Sequence, residues 1–228
     1  LGFQLAPGEL QFPERTVLLA HGSAAQMKQS VLTSNSIAEL RRAKEAAEFF
    51  DALPPEEQPA WLDELRARLT VPGEDADVPH VCLFDTGVNH AHPLIAAGLA
   101  APDLHTVEPG WGTNDGDGHG TEMAGLALAG NLTEALASQE PLDVRHRLES
   151  VKLLPANGAN GGDARHHGYL TTEAAARPEI TAPQRRRLFS MAVTARDNRD
   201  RGRPSAWSAA IDRLAADSEG QSETPRLF

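Results

Sequence analysis

Val81-Cys82-Leu83-Phe84-Asp85-Thr86-Gly87 is an apolar run that stops at an acid and a glycine. Val81 to Phe84 are apolar without alternation, which fits a parallel strand covered on both faces. Asp85 then falls at the carboxyl end of that strand, the edge where active-site groups collect in open α/β sheets. Thr86-Gly87 turns the chain sharply, since Gly is free to take a positive φ. The run sets the expected fold class: α/β, a mainly parallel sheet flanked by helices, preceded by a small helical region. A turn-forming Asp after a strand is common, so this stretch alone leaves function open.

A second stretch narrows it. In Asp117-Gly118-His119-Gly120-Thr121-Glu122-Met123-Ala124-Gly125, two glycines bracket a histidine. Met123, Ala124, Leu126, Ala127 and Leu128 read as a buried helix, which puts His119 at or near its N-terminus. There the helix dipole opposes a positive charge and favours neutral imidazole, the form a general base needs. A carboxylate bonded to one ring nitrogen would fix the tautomer and stabilise the imidazolium formed later. The interval from Asp85 to His119 leaves room for one crossover between neighbouring strands. A helix-capping histidine is the competing reading.

Metal chemistry fits less well. Asn114-Asp115-Gly116-Asp117-Gly118 resembles part of a calcium loop. In the EF-hand frame, however, Thr113 and Ala124 occupy the positions that require Asp and Glu. His90 and His92 match no standard zinc spacing. His166-His167, in a Gly-rich loop, reads as solvated surface. No metal ligand is assigned.

Asp85 with its turn and His119 with its helix, in this order, resemble the aspartate and histidine motifs of the subtilisin-like serine proteases. Further patches are similar. Leu148-Glu149-Ser150-Val151-Lys152-Leu153-Leu154 resembles that family's next strand. Asn157-Gly158-Ala159-Asn160-Gly161 resembles the loop flanking its substrate cleft. Leu188-Phe189-Ser190-Met191-Ala192-Val193-Thr194 resembles the strand that pairs with substrate backbone. Trp207 to Ala215 resembles the helix that follows, and Pro225-Arg226-Leu227-Phe228 the start of the strand leading to the oxyanion asparagine. The resemblance covers roughly residues 79–228. It implies an Asp-His-Ser serine endopeptidase with Asp85 and His119 as catalytic residues, a polypeptide substrate, and Gly158, Ala159, Ala192, Val193 and Thr194 along the substrate. It implies no metal or organic cofactor.

The departures from that family are specific. Glu122 stands where a histidine is frequent, and Ala192-Val193-Thr194 lacks the usual glycines. No Gly-Thr-Ser-x-Ala segment occurs in the 228 residues. Ser190 lies inside an apolar strand, a poor place for a nucleophile. Ser205 and Ser208 begin a helix, where Ser caps. The chain starts at Leu1 and stops as a strand opens, so both ends read as cut and the piece alone is expected to be inactive. A non-catalytic, protein-binding relative and an unrelated α/β domain with a chance motif pair are the alternatives.

The remaining features bound the reading. A formal net charge of −11 argues against nucleic-acid and acidic-membrane partners. There is no apolar run of transmembrane length and no signal-peptide pattern. Location stays open, with a cytoplasmic one favoured. The single cysteine, Cys82, excludes an intrachain disulfide and reads as core. Arg185-Arg186-Arg187 reads as a solvated approach to a strand, and Arg196, Arg199, Arg201 and Arg203 as a local anionic contact at most. Residues 1–70 are expected to form a largely helical accessory region. Ser36-Ile37-Ala38-Glu39 is a capping box opening a helix to about Leu53. Pro54-Pro55 breaks it, and a second helix follows with Trp61, Leu62, Leu65 and Leu69 on one face. That helical pair is expected to contact the peptidase core. Residues 71–78 read as a linker, and residues 79–228 as a partial peptidase domain.

Overall fold

The structure, a computed structural model, describes residues 4–13, 15–21, 23, 26, 54–155, 167–193, 202–222 and 224–228. It divides into two compact units, Leu1–Ala46 and Ala47–Phe228.

The first unit contains an antiparallel hairpin of β1 (Gln4–Phe12) and β2 (Arg15–His21). Its register shifts between Leu5 and Glu9, where Pro7-Gly8 sit. Proline cannot donate to a ladder, so an irregularity there is expected once the strand exists. The sequence reading of this region named only helices, so the hairpin differs from it. The helix read from Ser36 to Leu53 lies outside the described residues.

The second unit is built on five parallel strands. In chain order these are β4 (His80–Asp85), β5 (Leu99–Thr106), β7 (Arg147–Lys152), β8 (Arg187–Ser190) and β9 (Arg226–Leu227). Their spatial order is β5-β7-β4-β8-β9. The strand quoted first, β4, is therefore central, and this explains its unbroken apolar run. Leu83 joins a cluster with Val88, Ile95, Ala124, Leu128 and Leu148. Cys82 and Phe84 join another with Val151, Leu170, Ala174 and Phe189. The chain thus has an α/β fold with a mainly parallel sheet between helices.

The first cluster is covered by α2 (His119–Ala129), with α3 (Leu132–Ala137) beside it. The second is covered by α4 (His167–Thr181) and α5 (Ala206–Ala215). Helix α5 starts at a reciprocal cap: Ser208 N–H donates to Ser205 Oγ at 3.1 Å, and Ser205 N–H to Ser208 Oγ at 2.8 Å. His167, read as solvated, is exposed but lies against Trp207, with ring centroids 5.0 Å apart.

The boundary placed at residue 70 does not coincide with a structural one. Helix α1 (Gln58–Ala67) belongs to the second unit, and its Leu65 is fully buried in the first cluster. Burial of such a side chain stabilises by about 1.5–3 kcal/mol. The short strand β3 (Leu69–Thr70) then pairs in parallel with β6 (Leu142–Asp143). The Arg68 guanidinium donates to the Ala135 and Glu140 carbonyls, and Arg147 Nη1 to the Pro72 carbonyl at 2.6 Å. The expected linker thus begins inside a fixed part of the fold.

The basic run also behaves differently from the reading. Arg187 is buried and meets Glu149 as a fork, Nε to Oε2 at 2.6 Å and Nη2 to Oε1 at 3.0 Å. Arg185 reaches the same carboxylate at 2.9 Å and also Asp103. Of the three arginines only Arg186 is well exposed. The reason is that β8 is an interior strand, so a polar residue on its covered face needs a partner.

Candidate active site

Strand β4 ends at Asp85, whose carbonyl accepts from Leu153 N–H at 2.8 Å and Leu154 N–H at 3.2 Å. The strand end is thereby fixed from the neighbouring β7 side. Gly87 then turns the chain with φ of 100°, and a Cβ there would lie 2.5 Å from the Thr113 carbonyl oxygen. On the other side of the contact is Gly120, where a Cβ would lie 2.1 Å from the Gly87 carbonyl oxygen. Glycine at 120 lets the first turn of α2 rest on the turn after Asp85, and glycine at 87 lets that turn lie against the Thr113–Asn114 backbone.

This close approach brings the two candidate residues together. His119 Nδ1 lies 2.8 Å from Asp85 Oδ1 and 3.0 Å from Oδ2. A carboxylate only accepts, so Nδ1–H donates, and in the neutral ring Nε2 keeps its lone pair. The Asp85 side chain is 4% exposed and that of His119 is 43% exposed. The acid is shielded while the ring opens to the surface. The hydrogen bond to Asp85 raises the His119 pKa above 6.5 against a smaller opposing effect of burial, and the charges of Asp85, Glu122 and Asp117 add to the rise. The dipole argument alone favoured a neutral ring. The adjacent carboxylate outweighs it.

Thr86, Asp115, Asn89, Thr121 and Lys152, which the sequence did not single out as site residues, complete the setting. Thr86 N–H donates to Asp85 Oδ1 at 2.8 Å. Asp115 is buried, and its two oxygens take five protein donors: the Thr86 hydroxyl, the N–H groups of Asp117 and Gly118, and both N–H and hydroxyl of Thr121. Burial alone would raise its pKa, but these hydrogen bonds, led by those from Thr121, hold it below the usual carboxylate value. The loop weighed above as calcium-like therefore spends Asp115 on its own backbone and hydroxyls. Asn89 clasps the same loop, donating to the Asp115 carbonyl at 3.0 Å and accepting Asp115 N–H at 3.1 Å. Lys152 Nζ holds the Asn114 carbonyl at 2.5 Å. A sequence signal existed in the small polar residues on both sides of the two motifs, but their pairing is visible only in three dimensions.

Of the residues expected along a substrate, Ala192 is exposed and Val193 half-buried, both just past the end of β8. Thr194, Gly158 and Ala159 lie outside the described residues. Ser190 sits in the ladder of β8 opposite Leu83. A groove of about 490 Å³ beside α4 and α5, lined by Glu179, Ile180, Arg213 and Arg226 among others, includes neither Asp85 nor His119.

No curated protein and no solved structure matches the chain. The model of the subtilase family of peptidases matches residues 77–228, a span that begins just before β4 and contains both Asp85 and His119. A match over that share of the sequence, joined to the α/β fold that carries it, makes this chain a member of the subtilase family.

Proposed function

We propose that this chain carries the acid and the base of a serine endopeptidase, Asp85 and His119. The reading is carried by one observation: a shielded carboxylate bonded to Nδ1 of a histidine whose ring is open to solvent. Asp85 holds the tautomer in which Nε2 can accept a proton, and it stabilises the imidazolium that results. His119 Nε2 removes the proton from a serine supplied by polypeptide outside this sequence, as that serine attacks the scissile carbonyl. The imidazolium then protonates the leaving amine, and water resolves the acyl-enzyme by the reverse proton path. Oxyanion donors come with the serine. Ala192 and Val193, with Thr194, Gly158 and Ala159, are the segments that flank the extended polypeptide substrate.

The test is single-turnover acylation of the complete protein with an activated ester. His119→Ala should abolish acylation nearly as fully as loss of the serine, about 10⁶-fold. Asp85→Asn should cost on the order of 10⁴-fold, leaving the ring present in the wrong tautomer. The chain by itself should not label with a fluorophosphonate. A continuous reading frame without a Gly-Thr-Ser-x-Ala segment would instead support a protein-binding relative that keeps the cleft but not the nucleophile. The observation favouring that second reading is the absence of such a segment from these 228 residues.

A further inference from the structure

We propose that Asp115 is the positioning residue of the Asp85–His119 pair, holding the acid's turn and the base's helix in register through one buried carboxylate. The inference rests on reading that pair as acid and base. Thr86 Oγ1 stands between the two carboxylates, 2.9 Å from Asp115 Oδ1 and 3.2 Å from Asp85 Oδ1. The hydroxyl has one proton, and the shorter contact gives it to Asp115. The same oxygen accepts Gly120 N–H at 3.2 Å, so it also touches the first turn of α2.

The other contacts bracket His119 in sequence. Asp117 and Gly118 N–H donate to Asp115 Oδ1 at 3.0 and 2.9 Å. Thr121 N–H and hydroxyl donate to Oδ2 at 2.8 and 2.7 Å. Residues on both sides of the imidazole are thus tied to one anion. That anion also tethers Thr86, whose N–H binds Asp85. A carboxylate accepting several backbone N–H groups stays ionised and rigid, which suits a part that must hold two others in place. Its charge also draws the Thr86 proton away from Asp85. Asp85 then gives more of its accepting capacity to His119 Nδ1–H.

Loss of the Asp115 charge has two consequences in the same direction. The Thr86 proton returns to Asp85, and the loop before His119 slackens. Both weaken the bond that keeps Nδ1 protonated. The charges of Glu122 and Asp117, which also act on His119, remain in place. The His119 midpoint should therefore fall from its raised position toward the ordinary histidine value.

The experiment is nitrogen-detected NMR of the imidazoles in this chain, following the titration midpoint and tautomer of His119 in wild type, Asp115→Asn, Thr86→Val and Thr86→Ser. Wild type should show a single Nδ1–H tautomer and a raised midpoint. Asp115→Asn should lower the midpoint and mix the tautomers while amide dispersion elsewhere is kept. Thr86→Val should mix them in part, and Thr86→Ser, which restores the hydroxyl, should behave as wild type. A folded Asp115→Asn with unchanged midpoint and tautomer overturns the proposal. Should that variant not fold, a folded Thr86→Val with an unmixed tautomer does the same. The readout needs no nucleophile. Absence of acylation in the complete protein would strike the protease reading alone, whereas absence of the Nδ1–H tautomer in wild type would overturn both.

Discussion

Asp85 and Glu149 are both buried carboxylates on adjacent strands, 3% and 1% exposed, yet their partners are of opposite kinds. Glu149 faces the guanidinium groups of Arg187 and Arg185, on the side covered by α4. A guanidinium is not deprotonated in proteins, so these partners have no proton to exchange. Asp85 faces an imidazole whose proton can leave and whose far side is open. Both acids meet the same requirement, that a buried charge be paired and hydrogen-bonded. What separates structure from chemistry is the partner's capacity to titrate and its access to solvent.

The largest effect that would test this contrast is on stability. Glu149→Leu leaves the buried Arg187 guanidinium without its anion and Arg185 with Asp103 alone, and should cost roughly 3–5 kcal/mol. Asp85→Asn keeps the shape and one acceptor, and should cost only about 0.5–1.5 kcal/mol. Urea denaturation of the two variants compares them directly. If Asp85→Asn unfolded the chain as readily as Glu149→Leu, Asp85 would be a structural acid and the contrast would break.

A smaller effect sharpens it. The double replacement Glu149→Leu with Arg187→Met removes both charges of the main fork and leaves Arg185 with Asp103. Replacing a buried pair by apolar groups is often neutral or stabilising, so the double variant should recover most of the loss, ending within about 1–2 kcal/mol of wild type. A double variant no more stable than Glu149→Leu alone would show that Glu149 acts through groups other than Arg187.

The same contrast explains what could be read from sequence. Asp85 and His119 were legible because each stands next to a glycine turn and an apolar element whose period announces a strand or a helix. Glu149 and Arg187 carry no such signal. A charged residue in a short strand reads as surface until the covering helix is known, and their fork joins two strands distant in sequence. Asp115 was seen, but as a calcium-like loop, because its true donors include the Thr86 hydroxyl from the other motif. The boundary at residue 70 differs from the division at Ala46–Ala47 for a related reason. Leu65 does lie on the helix's covered side, whereas Leu69, expected on the same helical face, falls past the helix end in β3; nothing local says that both pack in the same core as Leu83. The β1–β2 hairpin was missed because Pro7-Gly8 interrupts the alternation that would mark a strand.

A pH experiment separates the two kinds of site further. The His119 pKa is raised in the folded state, so its contribution to stability is full below pH 6.5 and is lost as pH rises through the folded midpoint. Asp115 has the opposite sign: its pKa is lowered from 3.8, so its contribution is present above that value and is lost as pH falls through the lower folded midpoint. His80 is buried and its pKa is lowered by that burial, so stability falls as pH drops below 6.5 toward its folded midpoint. Asp85→Asn should flatten the loss above pH 6.5 and leave the acid-side losses in place. Denaturation midpoints of the variant and wild type across this range provide the measurement. An unchanged slope above pH 6.5 would mean that His119 gains nothing from Asp85.

Glu122→Ala should have the smallest effect and sets the scale for an exposed carboxylate. Glu122 lies in the first turn of α2 and is exposed, with its charge close enough to raise the His119 pKa but ranked behind Asp85. An acid there complements the helix dipole for about 0.3–1 kcal/mol, an effect that salt screens within a turn. The variant should lose no more stability than that, should lower the His119 midpoint less than Asp85→Asn does, and should show the difference shrinking at high ionic strength. In the complete protein its acylation rate should stay within about an order of magnitude of the parent, matching at most the same energy. Were Glu122→Ala instead as damaging as His119→Ala, with Asp85→Asn nearly silent, the acid that serves the imidazole would be the exposed one. Burial and a short Nδ1 contact would then have pointed to the wrong carboxylate, and the division between titratable and permanent partners would no longer identify the chemical site in this fold.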